Sequence, residues 1–182
     1  MAYSLVLHGG AWVWKGTKRR KAVRGVRRAA SNGQDLLRSG GTALDAVEVC
    51  VVAMEDDPVF NAGRGSALDL LGRVEMDASV MEKTDHVLVA GRGAERLAKA
   101  FRLENRNQIT ADAKRSWTVL RGLLAQEEVD YLAKTSRLVH EFPELISAGT
   151  VGAVAQDEYG NIAAGSSTGG LPLFFANACY TR

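Results

Sequence analysis

The sequence predicts an α+β domain in which helices pack on an antiparallel sheet. Three observations carry this expectation. Residues 18–38 and 43–54 place apolar side chains at helical spacing. Residues 73–80 and 151–156 alternate with a period of two. Glycine-bearing turns separate these runs, giving the order strand, two helices, hairpin, two helices, strands. That order is not a steady βαβ alternation. The 182 residues suffice for a single domain, 1–182, with a real core.

Ser4 to Leu7 is a short apolar run that ends at His8-Gly9-Gly10-Ala11. It reads as a strand feeding a glycine loop, where backbone N–H groups can approach a ligand closely. A plain strand-to-loop turn would look the same. Lys18 to Arg38 is an amphipathic helix, with Ala22, Val23, Val26, Ala29, Ala30, Gly33, Leu36 and Leu37 toward one side. Its arginines read as a solvated face rather than a nucleic-acid patch, because no aromatic residue interleaves them. Gly40-Gly41 ends this helix. Thr42-Ala43-Leu44-Asp45 is a loose capping box that starts the next, which Asp56-Asp57-Pro58 stops. Residues 59–66 form a glycine-punctuated loop.

Ala67–Leu70 and Arg73–Val80 read as the two arms of a hairpin around Leu71-Gly72, with Val74, Met76, Ala78 and Val80 on one face. Helices follow at 93–102 and 111–132, with Ala98, Phe101, Trp117, Leu120, Leu124 and Tyr131 as packing residues. Pro143 falls in the loop before Gly149.

Composition narrows the function classes. The chain is 46% hydrophobic and 24% charged, as in soluble globular proteins. A net charge of +2 is too small to imply a polyanion, so no nucleic-acid partner is expected. The apolar run Val49–Met54 is far short of a membrane span, and Leu5-Val6-Leu7 does not make a secretory signal. Cys50 and Cys179 do not make a disulfide framework; Cys50 reads as a buried, reduced residue of a cytoplasmic protein. His86 and His140 are isolated surface or loop residues, with no zinc spacing and no Ser/His/Asp ordering.

The most informative stretch is Gly149-Thr150-Val151-Gly152-Ala153-Val154. A cut between Gly149 and Thr150 would leave Thr150 as a new N-terminus, with a hydroxyl nucleophile and a free amine on one residue. The amine can serve as general base for amide hydrolysis. A free α-amine titrates near ~7.7–8.0, so much of it is an available base at neutral pH. Taken alone, the stretch also reads as the first strand of an ordinary hairpin through Asp157–Asn161.

Six motifs in order resemble the plant-type L-asparaginase/isoaspartyl peptidase family, of the asparaginase-like type, among the N-terminal-nucleophile hydrolases. They are His8-Gly9-Gly10; residues 40–48; Glu55–Pro58 with Phe60–Gly63; Val74–Ser79; residues 149–155; and Ser167–Gly170. The resemblance implies an αββα sandwich and a precursor that cleaves itself between Gly149 and Thr150. Residues 1–149 would then be an α chain and 150–182 a β chain. Mature Thr150 would attack the side-chain amide of L-asparagine or a β-aspartyl peptide, and water would release aspartate from the acyl-enzyme. By the same resemblance Thr168 supports the nucleophile; without the motif it would read as a turn-capping hydroxyl. Backbone N–H groups at Gly9 and Gly10 serve the oxyanion, and Asn61 with its loop steadies the nucleophile strand. No cofactor is required. A structural sodium held by loop carbonyls near Glu55 to Gly63 is part of the family picture, as is a dimer of processed αβ protomers.

The chain departs from the pattern twice. Met81 passes directly into Glu82–His86, so a strand and helix expected after the Met-Asp-Ala-Ser hairpin have no counterpart. From Leu171 to Arg182 the chain matches neither the family's arginine–aspartate substrate clamp nor its later Thr-Gly segment, and Arg182 does not stand in the clamp's context. Losing one oxyanion donor costs roughly 10²–10³ in rate. The alternative expectation is a catalytically silent truncated form that acts as an interaction protein; a lesser one is a glycosylasparaginase-like amidohydrolase. Phe174-Phe175 near an unpaired edge is an aggregation hazard.

Overall fold

The computed structural model describes residues 2–82, 106–125, 137–138, 140–142 and 149–173, together with Lys99 and Arg102. Seven main elements lie among them: β1 (Ser4–His8), α1 (Gly16–Arg38), α2 (Ala43–Glu55), β2 (Asp77–Glu82), α3 (Ala111–Ala125), β3 (Val151–Gln156) and β4 (Ile162–Thr168). A short 3₁₀ turn spans Gly63–Gly65. No described helix is long and apolar enough to cross a membrane.

The strands form one antiparallel sheet in the order β1-β3-β4-β2. The alternation read in 151–156 sets its two faces. Leu5, Leu7, Ala153, Ala155 and Ala163 join the core with Leu37, Val47, Cys50 and Val51 of the helices. Small residues on the strands let α2 lie close. A β-carbon on Gly165 would come within 2.6 Å of Val47 and 3.6 Å of Val51. The other face carries Val6, Val154, Ile162 and Met81, all exposed among the described residues. The α+β expectation therefore stands, with helices on an antiparallel sheet.

α2 begins as its capping box predicts. Thr42 Oγ1 accepts from the Asp45 N–H at 3.1 Å and donates to Asp45 Oδ2 at 2.7 Å. A second acid ties this helix start to the sheet. Asp157, 1% exposed, accepts from the Ala43 N–H and from the N–H groups of Tyr159 and Asn161, fixing the β3–β4 turn against α2. Desolvation pushes the Asp157 carboxyl up, but hydrogen bonds from Asn161, Ala43 and Tyr159 outweigh it and hold the group below its ordinary range. A depressed folded pKa means stability that is present above the unfolded value near ~3.9 and lost as pH falls through the folded one. Asp157→Asn should therefore lower the urea midpoint at neutral pH, and the gap from the parent should narrow below about pH 4. A gap that stays constant from neutral to acid pH would rule out this charge-dependent role.

Three expectations need correction. First, Val23 of α1 is 42% exposed. The buried stripe runs through Ala22, Gly25, Ala29, Gly33 and Leu37, because Phe60 and Cys50 press directly on Gly25 and Gly33 and leave no room for larger groups. Second, residues 67–80 do not form a paired hairpin. The turn exists, with Asp69 N–H donating to Arg73 O at 2.9 Å and a single bridge Leu68–Val74. The second arm then leaves, and β2 pairs with β4 instead, so Met76 and Val80 are exposed rather than an inner face. Third, α1 starts at Gly16 rather than at Lys18.

α3 packs Leu120 against Leu138 and Leu173, while Trp117 Nε1 donates to Asp69 O at 2.8 Å. The predicted helix at 93–102 lies outside the described residues apart from Lys99 and Arg102, as do 126–132 of the next helix. Ala98, Phe101, Tyr131, Pro143, His86, Cys179, Phe174-Phe175 and Arg182 are outside them too. His140 is exposed. Cys50 is buried, its Sγ donates to Ala29 O at 3.2 Å, and burial pushes its thiol up to about 11.

Candidate active site

The sheet brings the distant motifs together. Gly149 and Thr150 lead directly into β3, and Thr168 closes β4. The β3–β4 register pairs Val151 with Ser167, so one further step sets Thr150 beside Thr168. The β2–β4 register pairs Thr168 with Asp77. Cross-strand partners point to the same face of a sheet. Thr150, Thr168 and Asp77 thus form one row, on the face turned away from α1 and α2. Thr150 is half-buried there. Asp77 lies within the Val74–Ser79 motif, but its place beside Thr168 comes only from the register.

The His8-Gly9-Gly10 loop meets Gly149 backbone to backbone. Gly10 and Gly149 both have positive φ, 101° and 107°. A β-carbon on Gly10 would lie 3.2 Å from the Gly149 carbonyl carbon and 3.3 Å from its oxygen. One on Gly149 would lie 3.0 Å from Ala11 N and from Gly10 Cα. A side chain at either position would combine left-handed strain with a steric clash. Two contacts hold the loop in place. Trp14 Nε1 donates to Gly10 O at 3.0 Å, and the fully buried Phe60 ring lies under Gly9.

Asn61 acts on the other side of the row. It is 2% exposed and bonds three times: Nδ2 donates to Gly170 O at 2.6 Å, Oδ1 accepts from the Ala67 N–H at 2.8 Å, and its carbonyl accepts from the Gly169 N–H at 2.9 Å. These bonds pin the segment immediately after Thr168. Asn61 therefore steadies the strand that carries Thr168, next to the strand that carries Thr150. Thr168 Oγ1 accepts from the Gly170 N–H at 3.2 Å and keeps a hydroxyl hydrogen that can donate.

One further residue shares the open face. A β-carbon on Gly152 would touch His8 Nε2 at 2.5 Å, so the His8 imidazole lies across β3. Beyond it, on the same register row, Ser166 Oγ and Ser79 Oγ share a hydrogen bond of 2.9 Å.

The chain matches the model of the Asparaginase family over residues 1–84 and 78–174. It is 39% identical to the plant-type L-asparaginases of Pyrococcus horikoshii and Thermococcus kodakarensis, with 93% of this chain and 64% of each relative covered. It is 35% identical to the isoaspartyl peptidase/L-asparaginase of Mus musculus, over 92% of this chain and 57% of the relative. The chain thus spans less than two thirds of the length of these relatives. The alignment to the Pyrococcus protein runs over 198 positions although it takes in 93% of the 182 residues, so the relative carries residues inside the aligned span that this chain lacks. The two-part family match meets at 78–84, around the Met81 junction where the motif pattern breaks. With the family model matched over most of the chain and the motif residues gathered around one strand end, this chain belongs to the asparaginase family.

Proposed function

We propose that the chain is a threonine hydrolase that processes itself between Gly149 and Thr150 and then acts on L-asparagine and on N-terminal β-aspartyl peptides. The single observation behind this reading is the packing of the Gly10 loop on the Gly149 carbonyl, at the head of a strand that sets Thr150 beside Thr168. In the first reaction Thr150 Oγ adds to the Gly149 carbonyl carbon. The C–N bond breaks as the ester forms, and the hydroxyl proton ends on the freed amine. Water then cleaves the ester. In the second reaction that amine takes the Thr150 hydroxyl proton while the oxygen attacks the substrate amide, the departing amine or ammonia carries the proton away, and water then cleaves the Thr150 ester to release aspartate and restore the hydroxyl. Thr168 orients the nucleophile, and N–H groups at Gly9 and Gly10 face the oxyanion.

Part of this reading concerns layers and ions. The exposed sheet face is where a second sheet of an αββα sandwich would pack. Processed protomers would pair as dimers, in the cytosol. The loop from Glu55 to Gly63 suits a sodium ion on carbonyl oxygens. Glu55 O crowds Gly63, and Phe60 O and Pro58 O crowd Gly65, so that neither glycine has room for a β-carbon. Among the described residues no cluster of His, Cys, Asp or Glu side chains offers a metal site.

A second reading, a catalytically silent form that works through interaction, has its own support. The relatives carry residues within the aligned span that this chain lacks, and Val6 and Val154 on the Thr150 face are 69% and 48% exposed. Turnover separates the two. Ammonia from L-asparagine and aspartate from a β-aspartyl dipeptide are expected, with no aspartate from the α-linked isomer. A folded sample inactive on both β-amides would leave the silent form standing.

A further inference from the structure

We propose that the first half of α1 is a docking groove for a peptide in which acidic residues flank one or two aliphatic side chains. Eight of the fourteen residues from 15 to 28 are Lys or Arg, and none is Asp or Glu. Over the whole chain basic and acidic residues nearly balance, 23 against 21, so this helix is a local concentration of positive charge. Arg28 is answered by Asp57 at 3.0 Å, and Lys18 feels Asp112. Among the described residues Arg19, Arg24 and Arg27 have no ion-pair partner.

The arginines border apolar surface instead of open water alone. A groove of about 410 Å³ beside the candidate site is lined by the Leu7-His8-Gly9 segment, Trp14, Ala22, Val23 and Val26, together with Arg19 and Arg27. A wider depression of about 550 Å³ continues around the helix past Arg20 and Arg24. Arg19, Val23 and Arg27 stand four residues apart, on one stripe of the helix. This explains why Val23 is exposed: it faces the groove, between two cations. An aliphatic side chain seated on Val23 and Val26 would put flanking carboxylates against Arg19 and Arg27, where charge-assisted pairing adds to apolar burial.

Two other anionic partners fit less well. Single-stranded nucleic acid would need a free aromatic face for its bases. Trp14 sets its ring edge-on to Phe60, with centroids 6.2 Å apart, and carries the Lys18 ammonium 5.9 Å from its centroid. A membrane surface would need a row of projecting large apolar side chains, whereas the stripe here sets Val23 between Arg19 and Arg27.

Fluorescence anisotropy with labelled octapeptides tests the proposal on the full 182-residue chain, without recourse to turnover. The probes are acetyl-EEVEELEE-amide, its lysine counterpart with Lys for every Glu, octaglutamate, and a single-stranded oligonucleotide. At about 0.15 M ionic strength the mixed acidic peptide should bind at least ~10-fold more tightly than the lysine peptide. Arg19→Glu with Arg27→Glu should weaken it at least ~10-fold, and Arg38→Glu, near the far end of α1, should leave it within about 2-fold. Val23→Ser should weaken it about 3-fold or more. Arg19→Gln with Arg27→Gln repeats the test with a milder change, and thermal melts confirm folding. Equal binding of acidic and basic peptides overturns the proposal. So does equal binding of octaglutamate and the mixed peptide with no effect of Val23→Ser, or tighter binding of the oligonucleotide, since either would mark an unselective polyanion surface.

Discussion

Thr150→Ala is expected to leave the chain in one piece, while the parent yields a new fragment that begins at Thr150. Intact mass and N-terminal sequencing read this directly. The hydroxyl is the only group at the row that the proposed acyl shift uses as nucleophile, so its removal should lower cleavage by ~10³-fold or more, as when a hydrolase loses its attacking atom. Thr150→Ser keeps an oxygen at the same place and should retain slow cleavage. Thr168→Ala should slow cleavage without stopping it, since its hydroxyl only orients. A Thr150→Ala chain that is cut at the same bond and rate would show that another agent cuts it.

Phe60→Ala is expected to have the largest effect on stability. Phe60 is fully buried and its ring fills the space left by Gly9 and Gly25, with Trp14 at its edge. Truncating such a ring typically costs about 3–5 kcal/mol, through lost burial and the cavity that remains. Domains of this kind have ~5–15 kcal/mol in total, so the variant should unfold at much lower urea. The damage should also reach function. Without a floor the Gly9–Gly10 loop can sink away from the Gly149 carbonyl, so self-cleavage should slow even at temperatures where the variant is still folded. Phe60→Leu should recover most of both. A loss below about 1 kcal/mol would mean that the neighbours collapse into the space and that Phe60 does not hold the loop.

What was legible in the sequence was local. Thr42 and Asp45 are three residues apart, and the helix they start is where the pattern places it. The β3–β4 turn, closed by Asp157 within its own loop, was equally readable. Strand pairing was not. Alternation in 73–80 shows that a strand is possible, yet the partner of Ser79 is Ser166, 87 residues away, and no spacing within 67–80 encodes it. The same gap hid Asp77 as a neighbour of Thr168. Val23 differs for a related reason: the sequence shows that the helix is two-sided, but the Phe60 ring on Gly25 and Cys50 on Gly33 decide which arc goes inward. The motifs of the candidate site are readable because they are short and chemically specific. They could not show that Gly10 and Gly149 touch.

If Gly149-Thr150 is cut as proposed, that contact would make Gly149 a casting mould for the substrates that come after it. In the reading proposed above, the space left when Gly149 departs has the outline of a carbonyl with a bare methylene behind it, walled by Gly10 Cα and Ala11 N. The side-chain amide of asparagine and a β-aspartyl linkage both present a methylene next to the reacting carbonyl. An ordinary α-linked aspartyl residue presents a branched carbon there, carrying an amino group and a side chain. Preference for the misjoined peptide bond over the normal one would then be an impression of the protein's own lost glycine, left by the first reaction for every later one.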